Sequence, residues 1–582
     1  MAKKPLEIDL NFGRDNLAKY IGHTWQKYNN ERAGIISLWK EQRNYVFATD
    51  TTTTSNKSLP WKNSTTIPKL CQIRDNLHAN YVSALFPNDD WLKWEAYSLK
   101  DATKDKARAV EAYMANKCRE SHFRVSTSQL LYDYIDYGNC FATVEYVSEY
   151  RQDAVGNRVP GYIGPRIIRI SPYDIVFNPL ASSFHDSFKI IRAVKTVGEL
   201  KIMLEEVADN QMLKIALDKR DIMFKHMNSN GVENLDKDEG LQIDGFGNFS
   251  TYLQSGFVEV LTFYGDLHIQ ETGELRKGRK ITVIDRMFVV ADEEIPSWFG
   301  SAPIFHAGWR IRPDNLWAMG PLENLVGMQY RIDHLENLKA DAMDLAVLPP
   351  LVIKGEVEEF VYGPASEIHI DENGDVTELA KNSQWVIAAD TAIDRLEARM
   401  EQYAGAPREA MGIRSPGEKT AFEVQKLDNA SSRIFQEKID SFEIQLLEPT
   451  LNAMLETARR SMDSIDIVKV IDDDLGVQSF MQLTKEDITA TGVIRPIGAR
   501  HFAAQAQLLQ NVTNLSNTPV WQQIIPHMSS KALATLVEDV LGLHRFALIR
   551  PNIAVSEQME TQQMVNMASE TMQVEQSLPP IQ

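Results

Sequence analysis

The sequence predicts an α+β chain of several packed units, centred on two helices that flank a short acidic insert. Three observations lead there. Helical 3–4 spacing and strand-like alternation both recur along 582 residues, a length beyond one core. A composition of 43% hydrophobic and 24% charged residues is that of ordinary globular chains. Between Asp314 and Ser461 the pattern runs helix, β-rich insert, helix, polar loop and long helix, with Gly or Pro at the boundaries.

Residues 1–313 read as one α+β unit. Leu17 to Phe47 has helical periodicity through Ile21, Trp25, Tyr28, Ile35, Leu38 and Trp39. A polar low-complexity loop follows from Thr49 and closes at Pro60-Trp61. IPKLCQIRDNLHANYVSALF is helical, WLKWEAY alternates like a strand, and helices are expected over Lys104 to Cys118 and Phe123 to Tyr137. From Gly138 the pattern becomes extended: CFATVEYVSEYR is a strand, VGNRVPGYIG its turn, and PRIIRISPYDIVFNP continues extended. SFKIIRAVKTVGELKIML passes from strand to helix, with helix expected from Met203 to Lys225. Asn228 to Ser250 is polar and Gly/Asn-rich. FVEVLTFYGDLHI, RKITVIDRMFVVADEE and APIFHAGWRIRP form an expected antiparallel group.

The central stretch opens with a helix from about Pro321 to Leu348, stopped by Pro349-Pro350. Its apolar row is Leu325, Met328, Ile332, Leu335 and Leu338, which leaves Arg331, Asp333, Glu336 and Lys339 for a polar face. A second helix, Thr391 to Ala404, carries Ile393, Leu396, Met400 and Tyr403. The insert between them holds Glu356, Glu358, Glu359, Glu367, Asp371, Glu372, Asp375 and Glu378 against Lys354 and Lys381. It is expected to be either a solvated surface or a docking face for another protein. The loop GAPREAMGIRSPGEKT brings Arg408, Arg414 and Lys419 among glycines, where basic groups could meet phosphate. A long helix then runs from about Thr420 to Ser461.

Beyond Ser461, IDIVKVID is a strand, LGVQSFMQLT is helix-like and ITATGVIRPIG is a short strand. Helices are expected from Gly498 to about Leu541, and a Gln/Met-rich frayed or disordered tail from about Ser556. No long-period repeat is visible.

The searches for enzyme motifs fail in turn. GEKT at Gly417 to Thr420 lacks the glycine spacing of a phosphate-binding loop. There is no GxSxG, HExxH or GxGxxG, and the 12 histidines show no i, i+4 ligand pair. Asp371, Asn373 and Asp375 resemble the start of a calcium loop with no Glu at its twelfth position, so Asn373-Gly374 reads as a hairpin turn between IHI and VTEL. Asp472 to Asp474 could hold metals in a nuclease, or form a solvated turn. No catalytic, metal or cofactor site is expected, and the chain is not expected to be an enzyme.

Three scattered cysteines (Cys71, Cys118, Cys140) suit buried free thiols in a reducing compartment. No stretch approaches the roughly 18 apolar residues of a membrane span, and MAKKPLEIDLNF has no apolar region of a secretory signal. The balance of 61 basic to 80 acidic residues, net −19, argues against gripping nucleic acid over a broad surface, though not against a local basic contact.

RPDNLWAMGPLENLVGMQYRIDHLENLKADAMDLAVLPPLVI resembles the stem-helix entry of podovirus-type portal (head-to-tail connector) proteins of tailed phages, where Gly-Pro opens the helix and Pro-Pro closes it. TAFEVQKLDNASSRIFQEKIDSFEIQLLEPTLNAML is similar to their long wing helix, and GVIRPIGARHFAAQAQLLQNV to their entry toward the crown. The resemblance covers Ile304 to Leu541, and the N-terminal wing more loosely. It implies a wing at 1–313, a first stem helix at 314–348, a clip at 349–390 and a second stem helix at 391–404. A tunnel loop at 405–420, a long wing helix and C-terminal wing at 421–497, a helical crown at 498–555 and a tail at 556–582 would follow.

The family further implies a homo-dodecameric ring at one capsid vertex, assembled in the host cytoplasm with major capsid and scaffolding proteins. Double-stranded DNA passes through its channel. The terminase large subunit, and later adaptor or tail proteins, dock on the clip; no membrane and no cofactor are involved. Arg408, Arg414 and Lys419 become candidates for touching DNA. Glu356, Glu358, Glu359, Glu367, Asp371 and Glu372 become candidates for docking. Another ring-forming tail or adaptor protein, and a metal-dependent nuclease, remain as alternative readings.

Overall fold

The computed structural model describes residues 9–10, 14–47, 65–86, 91–97, 104–152, 158–206, 213–220, 256–269, 273–295, 302–347, 351–354, 375–378, 384–404, 434–462, 466–471, 478–483, 488 and 492–496. The chain is mixed α and β, and it divides into two compact units: Met1–Ser83 with Glu120–Arg460, and Ala84–Arg119 with Ser461–Gln582. Residues 1–313 are therefore not one unit, because the stretch from Ala84 to Arg119 groups with the C-terminal part.

In chain order, a two-residue strand β1 (Asp9–Leu10) precedes helices α1 (Arg14–Glu31), α2 (Ala33–Phe47) and α3 (Lys69–Leu85). Strand β2 (Leu92–Ala96) and helix α4 (Lys104–Glu120) come next, followed by α5 (Phe123–Asp136). Strands β3 (Asn139–Gln152), β4 (Arg158–Ile170), β5 (Ile175–Phe177) and β6 (Lys189–Thr196) lead to α6 (Val197–Glu206). Strands β7 (Phe257–Ile269), β8 (Glu274–Ile284), β9 (Phe288–Glu294), β10 (Ile304–Gly308), β11 (Arg310–Arg312) and β12 (Asn315–Met319) complete the β-rich part of the first unit.

The main sheet of that unit has the order β5-β6-β7-β8-β9, all antiparallel, with β1 parallel to β7. Alternation along β7 decides its two faces. Leu261 and Phe263 meet Leu17, Ala18, Ile21 and Trp25 of α1, while Val258 and Val260 meet Leu200 of α6 and Leu213, Ala216 and Leu217 of the helix at 213–220. RKITVIDRMFVVADEE spans the hairpin of β8 and β9. Its turn residues Asp285 and Arg286 have φ of 50° and 55° without any glycine. Ion pairs hold them: Arg220 Nε lies 2.9 Å from Asp285, and Arg286 Nε lies 2.8 Å from Glu259.

APIFHAG leaves this group as well. It is β10, which pairs with β3 in a second sheet of order β10-β3-β4. Residues 158–164, read from sequence as a turn, belong to strand β4. This strand lies at a sheet edge, where the missing N–H of Pro165 breaks no ladder bond on the open side. Between the sheets sits an aromatic core of Trp39, Phe141, Phe177 and Trp317, with ring centroids of Phe177 and Trp317 4.5 Å apart. Gly138, at φ 66°, lies so close to Gly320 that a Cβ there would come within 2.2 Å of the Gly320 nitrogen. That contact requires glycine where the chain turns toward its long helices.

Arg32, just after α1, is buried. Its guanidinium donates to the carbonyls of Pro172 (2.6 Å), Tyr173 and Ile175 (2.7 Å) and to Asn29, with Trp25 and Trp317 on its faces. A planar fork reaches several carbonyls that a single ammonium cannot.

In the second unit β2 pairs antiparallel with β17 (Gly492–Pro496), and Trp94 and Ile494 are buried. The Trp94 amide donates to Glu111 of α4 at 2.8 Å. Strands β15 (Asp466–Ile471) and β16 (Gln478–Leu483) form a hairpin, so QSFMQL is strand rather than the expected helix. Cross-strand pairing with IDIVKVI overrides its helical spacing. The aspartates at 472–474, the predicted crown and the C-terminal tail lie outside the described residues, as does the whole stretch from Asn228 to Ser250, within 221–255.

Arg32→Lys should lower the stability of the first unit by about 2 kcal/mol, since buried carbonyls lose charged donors. Urea unfolding followed by tryptophan fluorescence, which senses Trp25 and Trp317, measures it.

Candidate functional site

After a 3₁₀ turn at Glu323–Leu325, helix α7 (Val326–Val347) leads into strands β13 (Leu351–Lys354) and β14 (Asp375–Glu378), and helix α8 (Gln384–Ala404) follows. The two strands pair antiparallel, with Lys354 opposite Asp375 and Leu351 opposite Glu378. Both ends of the acidic insert therefore meet at one hairpin base. DVTE pairs with LVIK, and IHI and Leu379 lie outside the described residues. α8 starts at Gln384, seven residues before the expected Thr391, so Gln384–Asp390 belongs to helix and not to the insert. The β-favouring Trp385, Val386 and Ile387 concealed this; Ser383 just before is of a type that favours helix starts.

The faces of α7 also differ from expectation. Leu325 and Ile332 are buried, but Met328, Leu335 and Leu338 are only half-buried. The most buried row is polar: Gln329, Asp333, Asn337 and Asp341. Asp333, expected on a solvated face, is in the interior. The reason is the chain entering α3. Asn337 accepts from the Thr65 amide (2.6 Å) and donates to the Thr65 carbonyl (3.0 Å). Asp333 Oδ1 accepts from the Ile67 amide at 3.0 Å. Gln329 donates to the Ile67 carbonyl (2.5 Å) and accepts from the Leu70 amide (3.2 Å), one of the donors that a helix start leaves open.

The spacing fits. Four residues of helix advance about 6 Å and two residues of extended chain about 6.6 Å, so a helical i, i+4 row can serve alternate peptides of the strap 65–70. Pro68 biases Ile67 toward extended backbone.

The same strap reaches α8. Lys69 is buried; its ammonium donates to Glu401 at 2.6 Å and Gln72 at 3.0 Å, and lies 3.3 Å from Glu397. At the outer side Lys339 of α7 pairs with Asp390 of α8 at 2.9 Å and with Glu336 at 2.7 Å. Burial pushes the Asp333 carboxyl up to about 6, against the pull of the Ile67 and Gln329 hydrogen bonds.

The long helix is described from residue 434. Residues 434–442 are helical, Glu443–Leu447 form a π-turn, and α9 (Glu448–Ser461) follows. Gln445 accepts from the Gly308 amide at 3.1 Å, and Lys438 O accepts from the Tyr134 hydroxyl at 3.1 Å.

Several apolar side chains of this region are exposed: Tyr330 (37%), Met343 (50%), Ile353 (50%), Ile387 (68%) and Tyr403 (64%). Tyr403, expected in the seam of its helix, is thus outside it. At about 100° per residue, Tyr330 and Met343 lie roughly 140° apart around α7, and Ile387 and Tyr403 roughly 160° apart around α8. They mark two flanks and not one patch.

Arg408, Arg414 and Lys419 lie outside the described residues, as do Glu356, Glu358, Glu359, Glu367, Asp371 and Glu372. The sequence reading missed Thr65, Ile67, Lys69, Gln329, Asn337, Glu397 and Glu401. The available signal was a Gln-Asp-Asn-Asp row at every fourth position of a helix otherwise read for its apolar residues. Among the described residues no group of His, Cys, Asp and Glu could hold a metal ion, and no helix is long and apolar enough to cross a membrane. Cys118 and Cys140 are buried free thiols; Cys71 is half-buried.

Lys69→Met should destabilise the chain by about 3 kcal/mol, because Glu401 stays buried without its cation. Adding Glu401→Gln should recover part of the loss, which a double-mutant cycle in urea reads directly. Gln329→Ala should cost about 1–3 kcal/mol and speed proteolysis near Ile67.

No protein-family model matches the chain, and no curated protein matches it.

Proposed function

We propose that the chain is a phage portal protein, forming a dodecameric ring at one capsid vertex through which DNA enters and leaves. The observation that carries this reading is the pair α7 and α8, joined through the β13–β14 base, with apolar side chains exposed on opposite flanks. A subunit in a closed ring meets a different neighbour on each side through heterologous contacts, and so has two apolar flanks. A monomer, or a two-fold dimer, needs at most one. The order of parts supports the same reading: paired stem helices, an acidic insert tied at its base, and a long helix anchored on the sheet of β10.

In this reading the insert is the docking face for the terminase large subunit and then for adaptor or tail proteins. The loop with Arg408, Arg414 and Lys419 provides basic contact with DNA. The net charge of −19 limits adhesion elsewhere. Catalysis belongs to the motor that docks and not to this chain.

Negative-stain microscopy and native mass measurement of the purified chain should show rings with a central channel; a monomer that persists at assembly concentrations would sink the proposal. Ile387→Asp and Tyr403→Asp should each abolish rings and leave the far-ultraviolet circular dichroism unchanged, since both side chains are exposed. Replacing Arg408, Arg414 and Lys419 together by Gln should leave rings intact and reduce packaged DNA. Unchanged packaging would remove the loop from the DNA path.

A further inference from the structure

The hydrogen bonding of Asp333 in the α7 row is lopsided. Oδ1 accepts from the Ile67 amide (3.0 Å) and from Gln329 Nε2 (2.9 Å), whereas Oδ2 is buried with no hydrogen-bond partner among the described residues. No cation pairs with this carboxyl among the described residues. Lys69 on the strap is taken by Glu401 and Glu397 of α8, and Lys339 of α7 by Glu336 and Asp390. His334, the next residue on α7, stacks on Tyr330 with ring centroids 6.5 Å apart. Asp341, two turns further along the same row, can add only negative charge. None of these charged groups on the strap, on α7 or on α8 compensates Asp333.

A carboxylate spreads its charge over both oxygens, so burying Oδ2 unpaired disfavours the ionised form. The neutral acid keeps the Oδ1 bonds to the strap without that cost. The strap is the only contact described here that touches α7 through backbone groups and α8 through Lys69 at once.

We propose that segment 65–70 is a releasable latch across α7 and α8, held closed while the Asp333 carboxyl carries its proton and loosened when that proton is lost. The inference stands independently of the portal reading. Its sign follows from the raised carboxyl. Latch stability from this group is complete below the ordinary aspartate range, near pH 3.9, and is lost as pH rises through about 6. Between about pH 5 and about pH 8 latch opening should increase about tenfold.

Hydrogen exchange of the full chain, read by mass spectrometry on a peptide containing Ile67 to Leu70 and corrected for intrinsic rates, tests it. A β7 peptide (Phe257–Ile269) serves as the internal reference. The wild type should lose about tenfold protection at the strap, with a midpoint near pH 6, and none at β7. Asp333→Asn keeps the shape but cannot ionise, so its strap should stay protected across the range. Equal protection of the wild-type strap at both pH values would overturn the latch, and so would an equal loss at β7. A tenfold loss retained in Asp333→Asn would assign the effect to another group. Should that variant not fold, the wild-type comparison of strap and β7 decides alone.

Discussion

A peptide group removed from water has to be paired, and α7 carries the pairing for the chain that starts α3. Gln329, Asp333 and Asn337 replace a β-partner with three side chains on a helix. This constraint fixes much else. It sets the rotation of α7, because the ladder must face the strap. It turns the apolar row of α7 only halfway inward, leaving Met328, Leu335 and Leu338 half-covered. Through Lys69 it also decides where α8 lies beside α7. The hydrophobic contribution along this pair is modest, and polar specificity takes its place.

The fold was legible wherever local pattern and final environment agree. Alternation in CFATVEYVSEYR gives β3, and the 3–4 spacing of Leu17, Ile21 and Trp25 gives α1. Legibility fails where a distant partner overrules the local signal. Asp285 and Arg286 turn a hairpin with no glycine because Arg220 and Glu259, far away in sequence, hold their charges. QSFMQL is a strand only because IDIVKVI lies beside it. β2 and β17 come from opposite ends of the chain, so no local reading could have placed residues 84–119 in the second unit. The candidate site follows the same rule. Its helices and hairpin base were visible in the sequence, but its strap was not, since each contact of the strap with α7 joins residues more than 250 positions apart.

Charge is distributed unevenly between interior and surface. Lys69, Arg220 and Arg286 are each tied to a buried carboxylate, and Arg74 and Arg169 to Asp136 and Asp133 of α5. Each internal pair removes one charge of either sign. The excess of 80 acidic over 61 basic residues therefore falls on fewer remaining groups, and the outer field is more one-sided than the composition suggests.

The π-turn at Glu443–Leu447 has a consequence for how the long helix tolerates change in length. Ile439, Phe442 and Leu446 are buried before or within it, and Leu451, Met454, Leu455 and Ala458 after it. On an unbroken α-helix those two sets would point in directions roughly 140° apart. The extra residue of a π-turn rewinds the second set by about 100° and brings both onto one side. The turn thus acts as a phase corrector between two lengths of helix. Losing one residue there would therefore restore a regular helix with both apolar stripes still on one side, whereas gaining one would throw the second stripe about 100° out of line.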